Sequence, residues 1–239
     1  MPTYCITGAN RGLGLEFVRQ LAQSPDNTII ATTRSLSNDL SDLKSVSSQT
    51  THILECDTAD QASIQFFASS TKNALNGAQI DVLLNNAGAN SVPAQTSLSL
   101  GAADLHREID VNVLGPAKTT EFLVAQGLLS QDARIVNMTS GLGSMSVGLS
   151  ITPRKCATYS ISKAGVNMLT VHQSGDLREK LRGVVVICMD PGWVKTRMGG
   201  EGAVLEPEVS IAGMLKVVHG LGEGDNGKFY TYTGEEVKW

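Results

Sequence analysis

A tyrosine and a lysine lie four residues apart in a stretch without proline, Tyr159-Ser-Ile-Ser-Lys163. In an α-helix, residues i and i+4 share one face and lie one turn apart. An ammonium group beside a phenol favours the phenolate and lowers the pKa of the tyrosine. Such a phenol can give a proton to a carbonyl oxygen, or take one from an alcohol, near neutral pH. Alone, the pair is more often a structural contact, with the lysine stem lying over a half-buried tyrosine.

A glycine-rich turn near the amino terminus points to a cofactor. Residues 3–7 predict a short buried strand, and residues 15–22 have the apolar spacing of a helix. Between them lies Gly8-Ala-Asn-Arg-Gly12-Leu-Gly14. This context brings backbone N–H groups and a helix N-terminus towards the pyrophosphate of a dinucleotide. The alternative is a tight turn that binds no ligand, because a glycine-rich motif alone is weak.

The residues after the second predicted strand, 28–33, indicate which dinucleotide is bound. An acidic residue here would bind the 2′-hydroxyl of NAD. The chain instead has Arg34, with no carboxylate before Asp39, and a second guanidinium at Arg11 inside the glycine turn. Arginine can bind a 2′-phosphate in bidentate fashion, so the sequence favours NADPH over NADH. Either arginine could instead be a solvated surface charge.

Strands alternate with helices along the rest of the chain. Further strands are predicted at 51–56, 80–84, 133–138, 183–189 and 228–233, and helices at 61–75, about 101–129, 157–181 and 207–221. This order predicts an α/β protein with one doubly wound, mostly parallel sheet of seven strands, helices on both faces and a ligand crevice at the carboxyl ends of the strands. Because no linker, repeat or low-complexity tract interrupts it, we expect a single dinucleotide-binding catalytic domain over 1–239.

Polar residues follow several of these strands. Asp57 is placed to accept a hydrogen bond from an adenine amino group, and the asparagines of Asn85-Asn86-Ala87-Gly88 can tie down neighbouring loops. The alternative for the second group is a simple asparagine-rich turn. Asn112 comes just before Gly115-Pro116, a pair that kinks or splits a helix and can free a carbonyl to hold water. Ser140 follows the strand 133–138.

Composition excludes several other classes of protein. The chain has 239 residues, 41% of them hydrophobic and 18% charged, and a net charge of -4 without a basic cluster, which argues against a nucleic-acid partner. No apolar run approaches the ~18 residues of a membrane-spanning helix, so a cytoplasmic protein is expected. The four cysteines lack C-x-x-C spacing and the four histidines are scattered, so we expect no metal site.

From end to end the chain resembles the classical short-chain dehydrogenase/reductase family, which has a Rossmann fold, and within it the C-factor and sniffer-type carbonyl reductases. Several independent motifs, in order and on the expected elements, carry the resemblance. They are Thr7-Gly8-x-x-x-Gly12-x-Gly14, Asp57, Asn85-Asn86-Ala87-Gly88, Asn112, Ser140, Tyr159-x-x-x-Lys163, and Pro191-Gly192 with Thr196.

The resemblance implies a role for each motif. Tyr159 would be the general acid in reduction and the base in oxidation, and Lys163 would lower its pKa and hold the nicotinamide ribose. Ser140 would bind and polarise the substrate oxygen, and Asn112 would anchor a water that links Lys163 to solvent. The residues expected to bind NADP(H) are Gly8, Arg11, Gly12, Leu13, Arg34, Asp57, Asn86, Ala87, Gly88, Tyr159, Lys163, Pro191, Gly192, Val194 and Thr196.

The substrate loop departs from the family pattern, because its 19 positions from Ser140 to Tyr159 imply an insertion. Ser144 is a second hydroxyl there, although Ser140 directly ends the strand and is preferred. Arg154 and Lys155 could attract an anion, but loop cations are more often solvated. The expected wall is otherwise apolar, which favours a ketone or aldehyde of modest size. Its residues are Leu142, Met145, Val147, Leu149, Ile151 and Trp193.

These features together predict an NADPH-dependent oxidoreductase that transfers a hydride between the nicotinamide and a carbonyl or secondary alcohol of an apolar small molecule. Two alternatives remain at this point: a redox-neutral epimerase, dehydratase or cyclase, and a non-catalytic nucleotide-binding regulator. The resemblance also implies a homodimer or homotetramer formed through the helices at 101–129 and 157–181. The glycine-rich stretch 199–202 suits a mobile lid.

Overall fold

The computed structural model describes residues 1–239 and is built around one seven-stranded sheet. The strands have the order β3-β2-β1-β4-β5-β6-β7, and every neighbouring pair is parallel. Their bounds are β1 Thr3–Ile6, β2 Thr28–Thr33, β3 Thr51–Glu55, β4 Ile80–Asn85, β5 Leu129–Met138, β6 Val185–Asp190 and β7 Phe229–Thr231. The predicted α/β fold with a seven-stranded sheet is confirmed, and the sheet is wholly parallel.

Helices cover both faces of the sheet, as predicted. In chain order they are α1 Gly12–Leu21, α2 Ser41–Val46, α3 Gln61–Leu75, α4 Ala102–Ile109, α5 Gly115–Ala125, α6 Met145–Gly148, α7 Ala157–Asp176 and α8 Pro207–Gly220. Apolar side chains of α1 and α8 pack on one face, and those of α3 and α5 pack on the other. None of these helices combines the length and the apolar character that crossing a membrane requires.

The strand order explains where a ligand can bind. β1 lies between β2 and β4: strands β2 and β3 are added on one side of β1, and β4 to β7 are added on its other side. Loops that follow β1 and β4 therefore diverge to opposite faces and leave a crevice at the carboxyl ends of the strands. The glycine turn follows β1, and Asn86-Ala87-Gly88 follows β4, so both predicted cofactor loops lie at this crevice.

The helix predicted over 101–129 is divided in three. α4 ends at Ile109, a π-helical turn occupies Asp110–Leu114, and α5 ends at Ala125. Pro116 stands at the start of α5, where its missing N–H costs no hydrogen bond of the new helix. Residues from Leu129 onward belong to β5, which is longer at its start than predicted.

Two helices were missed by the sequence analysis: α2, and α6 within the predicted substrate loop. Asp39 precedes α2, and its carboxylate accepts a hydrogen bond from the Ser41 N–H at 2.9 Å. In α2, Leu43 is fully buried in the core on the α1 side and Val46 packs against this core partly buried. A single fully buried residue in six positions gives no helical periodicity to detect.

Candidate active site

Tyr159 and Lys163 lie on the same face of α7, near its first turn, as their spacing predicts. Lys163 Nζ lies 5.5 Å from the centre of the Tyr159 ring and donates a hydrogen bond to the Met138 carbonyl at 2.6 Å. Lys163 is 4% exposed, whereas Tyr159 is half-buried. A Cβ atom added to Gly88 would lie 3.7 Å from Lys163 Nζ, so the amine points to the wall of the crevice. The absence of a side chain at Gly88 leaves this approach open.

The pKa of Tyr159 differs from the sequence-based expectation. Burial is the main cause and raises this pKa above its ordinary value, and the negative groups of Asp190, Cys156 and Glu108 add to the effect. The nearby Ser140 hydroxyl lowers this pKa in part. Lys163 lies over the face of the ring, and burial lowers its own pKa to about 8. In the protein without cofactor, Lys163 is therefore not among the groups that lower the pKa of Tyr159, in contrast to the prediction from their spacing.

Ser140 and Ser144, the two candidate hydroxyls of the substrate loop, have different surroundings. Ser140 follows β5 and lies near enough to Tyr159 to lower the pKa of the phenol, and its oxygen accepts from the Leu142 N–H at 3.2 Å. Ser144 is buried, donates to the Lys238 carbonyl at 2.5 Å and caps α6 by accepting from the Val147 N–H. This geometry favours Ser140 as the hydroxyl that contacts a substrate oxygen.

Asn112 lies in the middle of the π-helical turn. Its side chain accepts a hydrogen bond from the Ala89 N–H at 2.8 Å, and donates to the Ala89 carbonyl and to the Ser162 hydroxyl. After the turn, α5 passes close to Thr58: a Cβ on Gly115 would lie 3.0 Å from the Thr58 carbonyl oxygen. Asn112 thus joins α4, α7 and the loop that carries Gly88.

The glycine turn and the loop after β4 are tied together. Asn86 Nδ2 donates to the carbonyls of Thr7 and Gly8, at 2.8 and 3.3 Å. The Thr7 hydroxyl accepts from the N–H groups of Asn86 and Ala87, both at 3.0 Å. Asn85 has a different role, because its side chain turns into the core and donates to Asn137 at 2.9 Å. The predicted tie between loops is thus made by Asn86.

The crevice forms a cavity of about 600 Å³. Ten of the predicted cofactor residues line it: Gly8, Arg11, Gly12, Leu13, Arg34, Asp57, Asn86, Ala87, Gly88 and Thr196. Pro191, Gly192, Val194, Tyr159 and Lys163 are not part of this lining. Val194 is buried and pairs with Leu205 as an isolated β-bridge, so this residue shapes the loop that carries Thr196.

Three arginines gather at one end of the cavity. Arg11, Arg34 and Arg197 all line it, and burial followed by the charges of Arg197 and Arg34 lowers the pKa of Arg11. Asp57 Oδ2 lies 4.0 Å from Arg34 Nε. Arg197 was missed because it follows Thr196 without belonging to any of the predicted motifs. Only the packing of Thr196 beside Gly12 brings it here. The cavity also contains Asn10, Thr58, Asp104, Arg107 and Met198, which the sequence analysis did not predict.

The expected apolar wall of the substrate site is largely exposed. Met145 and Leu149 are each 76% exposed and Trp193 is 56% exposed. Arg154 does not face this opening as a free cation, because it donates to the Gly148 and Leu149 carbonyls at 3.0 and 2.9 Å. Two of the five guanidinium donors thus close the end of α6, and the side chain stays exposed.

The wholly parallel doubly wound sheet and the convergence of a tyrosine, a lysine and a serine beside its crevice define a dinucleotide-dependent oxidoreductase fold. The family model for the short chain dehydrogenases matches residues 2–203. The chain belongs to this family, that of the short-chain dehydrogenases/reductases, and is an oxidoreductase of it.

Relatives and solved structures agree with this assignment. The C-signal of Myxococcus xanthus is 37% identical over 163 residues, which cover 67% of this chain and 93% of that protein. The NADPH-bound carbonyl reductase from chicken fatty liver is 32% identical with a TM-score of 0.89, covering 100% of this chain and 99% of that one. Carbonyl reductase Sniffer of D. melanogaster is 28% identical with a TM-score of 0.88 and full coverage of both chains. These matches confirm the resemblance to C-factor and sniffer-type proteins.

Proposed function

We propose that the protein is an NADPH-dependent carbonyl reductase that acts on apolar ketones or aldehydes. The observation that carries the proposal is the arrangement of Ser140, Tyr159 and Lys163 at the end of β5, beside a cavity lined by four arginines. A serine and a tyrosine whose hydroxyls are near each other can both contact one carbonyl oxygen. Such a site polarises the carbonyl and protonates it as the carbon accepts a hydride.

The protonation states suit reduction. Because burial raises the pKa of Tyr159, this phenol keeps its proton at neutral pH and is ready to act as a general acid. Ser140 orients the carbonyl oxygen, and Lys163 adds positive charge beside the crevice. A bound nicotinamide supplies the hydride, and the residues of the glycine turn and of the loop after β4 would hold the dinucleotide.

The preference for NADPH is supported by the charges of the cavity. Arg11, Arg34 and Arg197 repel one another, and the one nearby acid, Asp57, lies 4.0 Å from Arg34 at the edge of ion-pair distance. A 2′-phosphate would relieve this repulsion and accept charge-assisted hydrogen bonds. The NADPH-bound relative from chicken liver agrees with this preference.

A second candidate function is that of a nucleotide-binding regulator, which is favoured by the similarity to the C-signal of Myxococcus xanthus. The retained tyrosine, serine and lysine argue against it, since a sensor needs a cofactor site but no proton donor.

We further propose that residues 1–239 form one catalytic domain, because one sheet includes strands from both ends of the chain. A homodimer through the exposed apolar residues Ile161, Met168 and Val171 of α7 also belongs to this proposal.

The test is a spectrophotometric screen that follows loss of NADPH, and separately of NADH, with a panel of aliphatic, aromatic and acidic carbonyl compounds. We expect turnover of apolar members with NADPH and slower turnover with NADH. Tyr159→Phe should reduce kcat by at least about 100-fold while leaving the Kd of NADPH within about twofold, because the phenol proton acts in the chemical step. Binding of NADPH without turnover on any carbonyl would instead support the regulator. A product without deuterium from labelled NADPH would indicate a redox-neutral enzyme.

A further inference from the structure

Glu108 is a carboxylate without exposed surface that lies beside the proposed catalytic pair. It is on α4, one helical turn before Asn112. One of its oxygens accepts a hydrogen bond from the Ser91 N–H, and the other, Oε2, has no partner in the protein. Its negative charge acts on both Tyr159 and Lys163, and raises the pKa of each. A fully buried acid with one unsatisfied oxygen is costly, so it needs a functional or structural reason.

Glu108 and Asn112 together hold the loop after β4. Asn112 binds both polar backbone groups of Ala89, and Glu108 binds the N–H of Ser91 two residues later. The two side chains are four residues apart and therefore lie on the same side of the chain as it passes from α4 into the π-helical turn. They fix the position of Gly88, whose missing side chain leaves room for Lys163 Nζ.

Other unsatisfied polar atoms belong to the loop that binds Glu108 and to the first turn of α7. The loop that carries them connects to the start of α7, because the carbonyls of Pro93 and Gln95 accept from the N–H groups of Cys156 and Ala157. Five residues of this region each have a buried polar atom without a partner in the protein, and we call them the buried polar cluster. They are Asn90, Ser91, Gln95, Glu108 and Thr158.

The cluster has the chemical character of a water site. Three of its unsatisfied atoms are obligate acceptors, namely Asn90 Oδ1, Gln95 Oε1 and the Glu108 carboxylate oxygen when it is ionised, and the hydroxyls of Ser91 and Thr158 can donate or accept. Each such atom left without a partner lowers the stability of the fold, because it has lost its hydrogen bonds to water. Ordered water commonly satisfies groups of this kind, and each such water makes two to four hydrogen bonds.

We propose that Glu108 is a positioning and proton-exchange residue of this enzyme: it holds the loop beside Lys163, and its second oxygen exchanges protons with solvent through water bound in the buried polar cluster. The inference rests on the proposed reductase function. Reduction of a carbonyl consumes one hydride and one proton, and the proton that leaves the Tyr159 hydroxyl for the substrate oxygen must be replaced from solvent in each turnover. Glu108 is fully buried, and Ser91, whose N–H it binds, lines the cavity together with Asn90, so the cluster reaches from the buried carboxylate to the crevice.

The charged groups around Glu108 define what its removal changes. Tyr159 and Lys163 face it from α7, while Asp104 and Arg107 are on its own helix, and the loop 88–95 contains no titratable side chain. Because the carboxylate raises the pKa of both partners, its neutralisation lowers both. Glu108→Gln keeps the shape of the side chain and can still accept from the Ser91 N–H, so it removes the charge and the proton exchange alone.

The test compares Glu108→Gln with Glu16→Gln, a second buried glutamate on α1 that is bound by Gln20 and Arg19 away from the cavity. In Glu108→Gln we expect kcat to fall about three- to tenfold, the solvent deuterium isotope effect on kcat to rise, and the Kd of NADPH to stay within about twofold. Titration of tyrosinate by ultraviolet absorbance, with Tyr159→Phe to identify the signal, should show a lower pKa of Tyr159. Glu16→Gln should change none of these quantities.

Two further results separate the possible failures. Thr158→Val removes a hydroxyl of the cluster without a change of charge, and it should raise the solvent isotope effect while the tyrosinate titration stays unchanged; it also serves if Glu108→Gln does not fold. The proposal is overturned if the titration and the isotope effect of Glu108→Gln equal those of the wild type, or if Glu16→Gln changes them equally. Absence of turnover in the wild type would overturn the reductase function itself, and the tyrosinate titration would still decide whether Glu108 acts on Tyr159.

Discussion

Replacement of Lys163 by methionine should stabilise the fold while it abolishes activity. Burial lowers the pKa of Lys163 from its ordinary 10.5 to about 8, so keeping the ammonium ion inside the folded protein lowers the free energy of unfolding. The difference corresponds to about 3 kcal/mol. Loss of the hydrogen bond to the Met138 carbonyl offsets about 1 kcal/mol of it. Methionine fills a similar volume without charge, which leaves a net gain of about 2 kcal/mol below pH 8.

The sign of the pH dependence follows from proton counting. Between about pH 8 and pH 10.5 the unfolded chain binds a proton at Lys163 that the folded chain lacks, so wild-type stability rises with pH across this interval. The advantage of Lys163→Met is therefore full below pH 8 and disappears as the pH approaches 10.5.

Thermal unfolding without cofactor, followed by circular dichroism, measures the effect. At pH 7 the Tm of Lys163→Met should exceed that of the wild type by about 4–8 °C, and the difference should shrink at pH 10. Lys72→Met, at an exposed position of α3, is the control and should change the Tm little at either pH. The reasoning is refuted if Lys163→Met is less stable at pH 7, or if its advantage is the same at both pH values.

Three other predictions concern the turn, the cofactor and the substrate loop. Gly14→Ala should lower the free energy of unfolding by about 1–3 kcal/mol and weaken NADPH binding, because the new Cβ overlaps the Gly8 carbonyl oxygen and lies 2.9 Å from Ala9 Cα. Gly175→Ala is the control: no atom lies within 4 Å of its new Cβ, so urea unfolding should show a free energy of unfolding raised by up to about 1 kcal/mol. Arg197→Gln should weaken NADPH about three- to tenfold in calorimetry and NADH less than twofold, since its charge acts on the 2′-phosphate; equal loss for both cofactors would contradict this. Ser144→Ala should lower the Tm and raise the KM for carbonyl substrates, with kcat within about threefold, because the buried hydroxyl joins the substrate loop to Lys238. An unchanged KM would show that this hydrogen bond does not shape the site.

Local chemistry explains which parts of the fold were predictable. Strands buried on both faces are continuously apolar, as in Val185–Asp190, and helices such as Gln61–Leu75 carry a regular apolar stripe. The glycine turn after β1 was recognisable because φ near +68° at Gly8 and +55° at Gly12 favours glycine. The ends of the elements were less certain, since Gly115-Pro116 permits either a kink or a break.

The candidate site was predictable only where its residues act through near neighbours in sequence. Tyr159 and Lys163 share a helix face because of the period of the helix, and Ser140 was found because it ends a strand. Ser144 shows the limit of this approach: its hydroxyl looks equivalent in sequence, but it is bound to Lys238, 94 positions away.

The fold class, the family, the proposed acid and amine and two of the arginines could be predicted from the chain, because each depends on spacing within one element or one turn. The pKa of Tyr159, the gathering of Arg197 with Arg11 and Arg34, and the burial of Glu108 near Tyr159 and Lys163 depend on the folded protein. The physical reason is that desolvation and charge interactions depend on distance in space. Residues far apart in the chain acquire them only when the sheet brings the ends of its strands together.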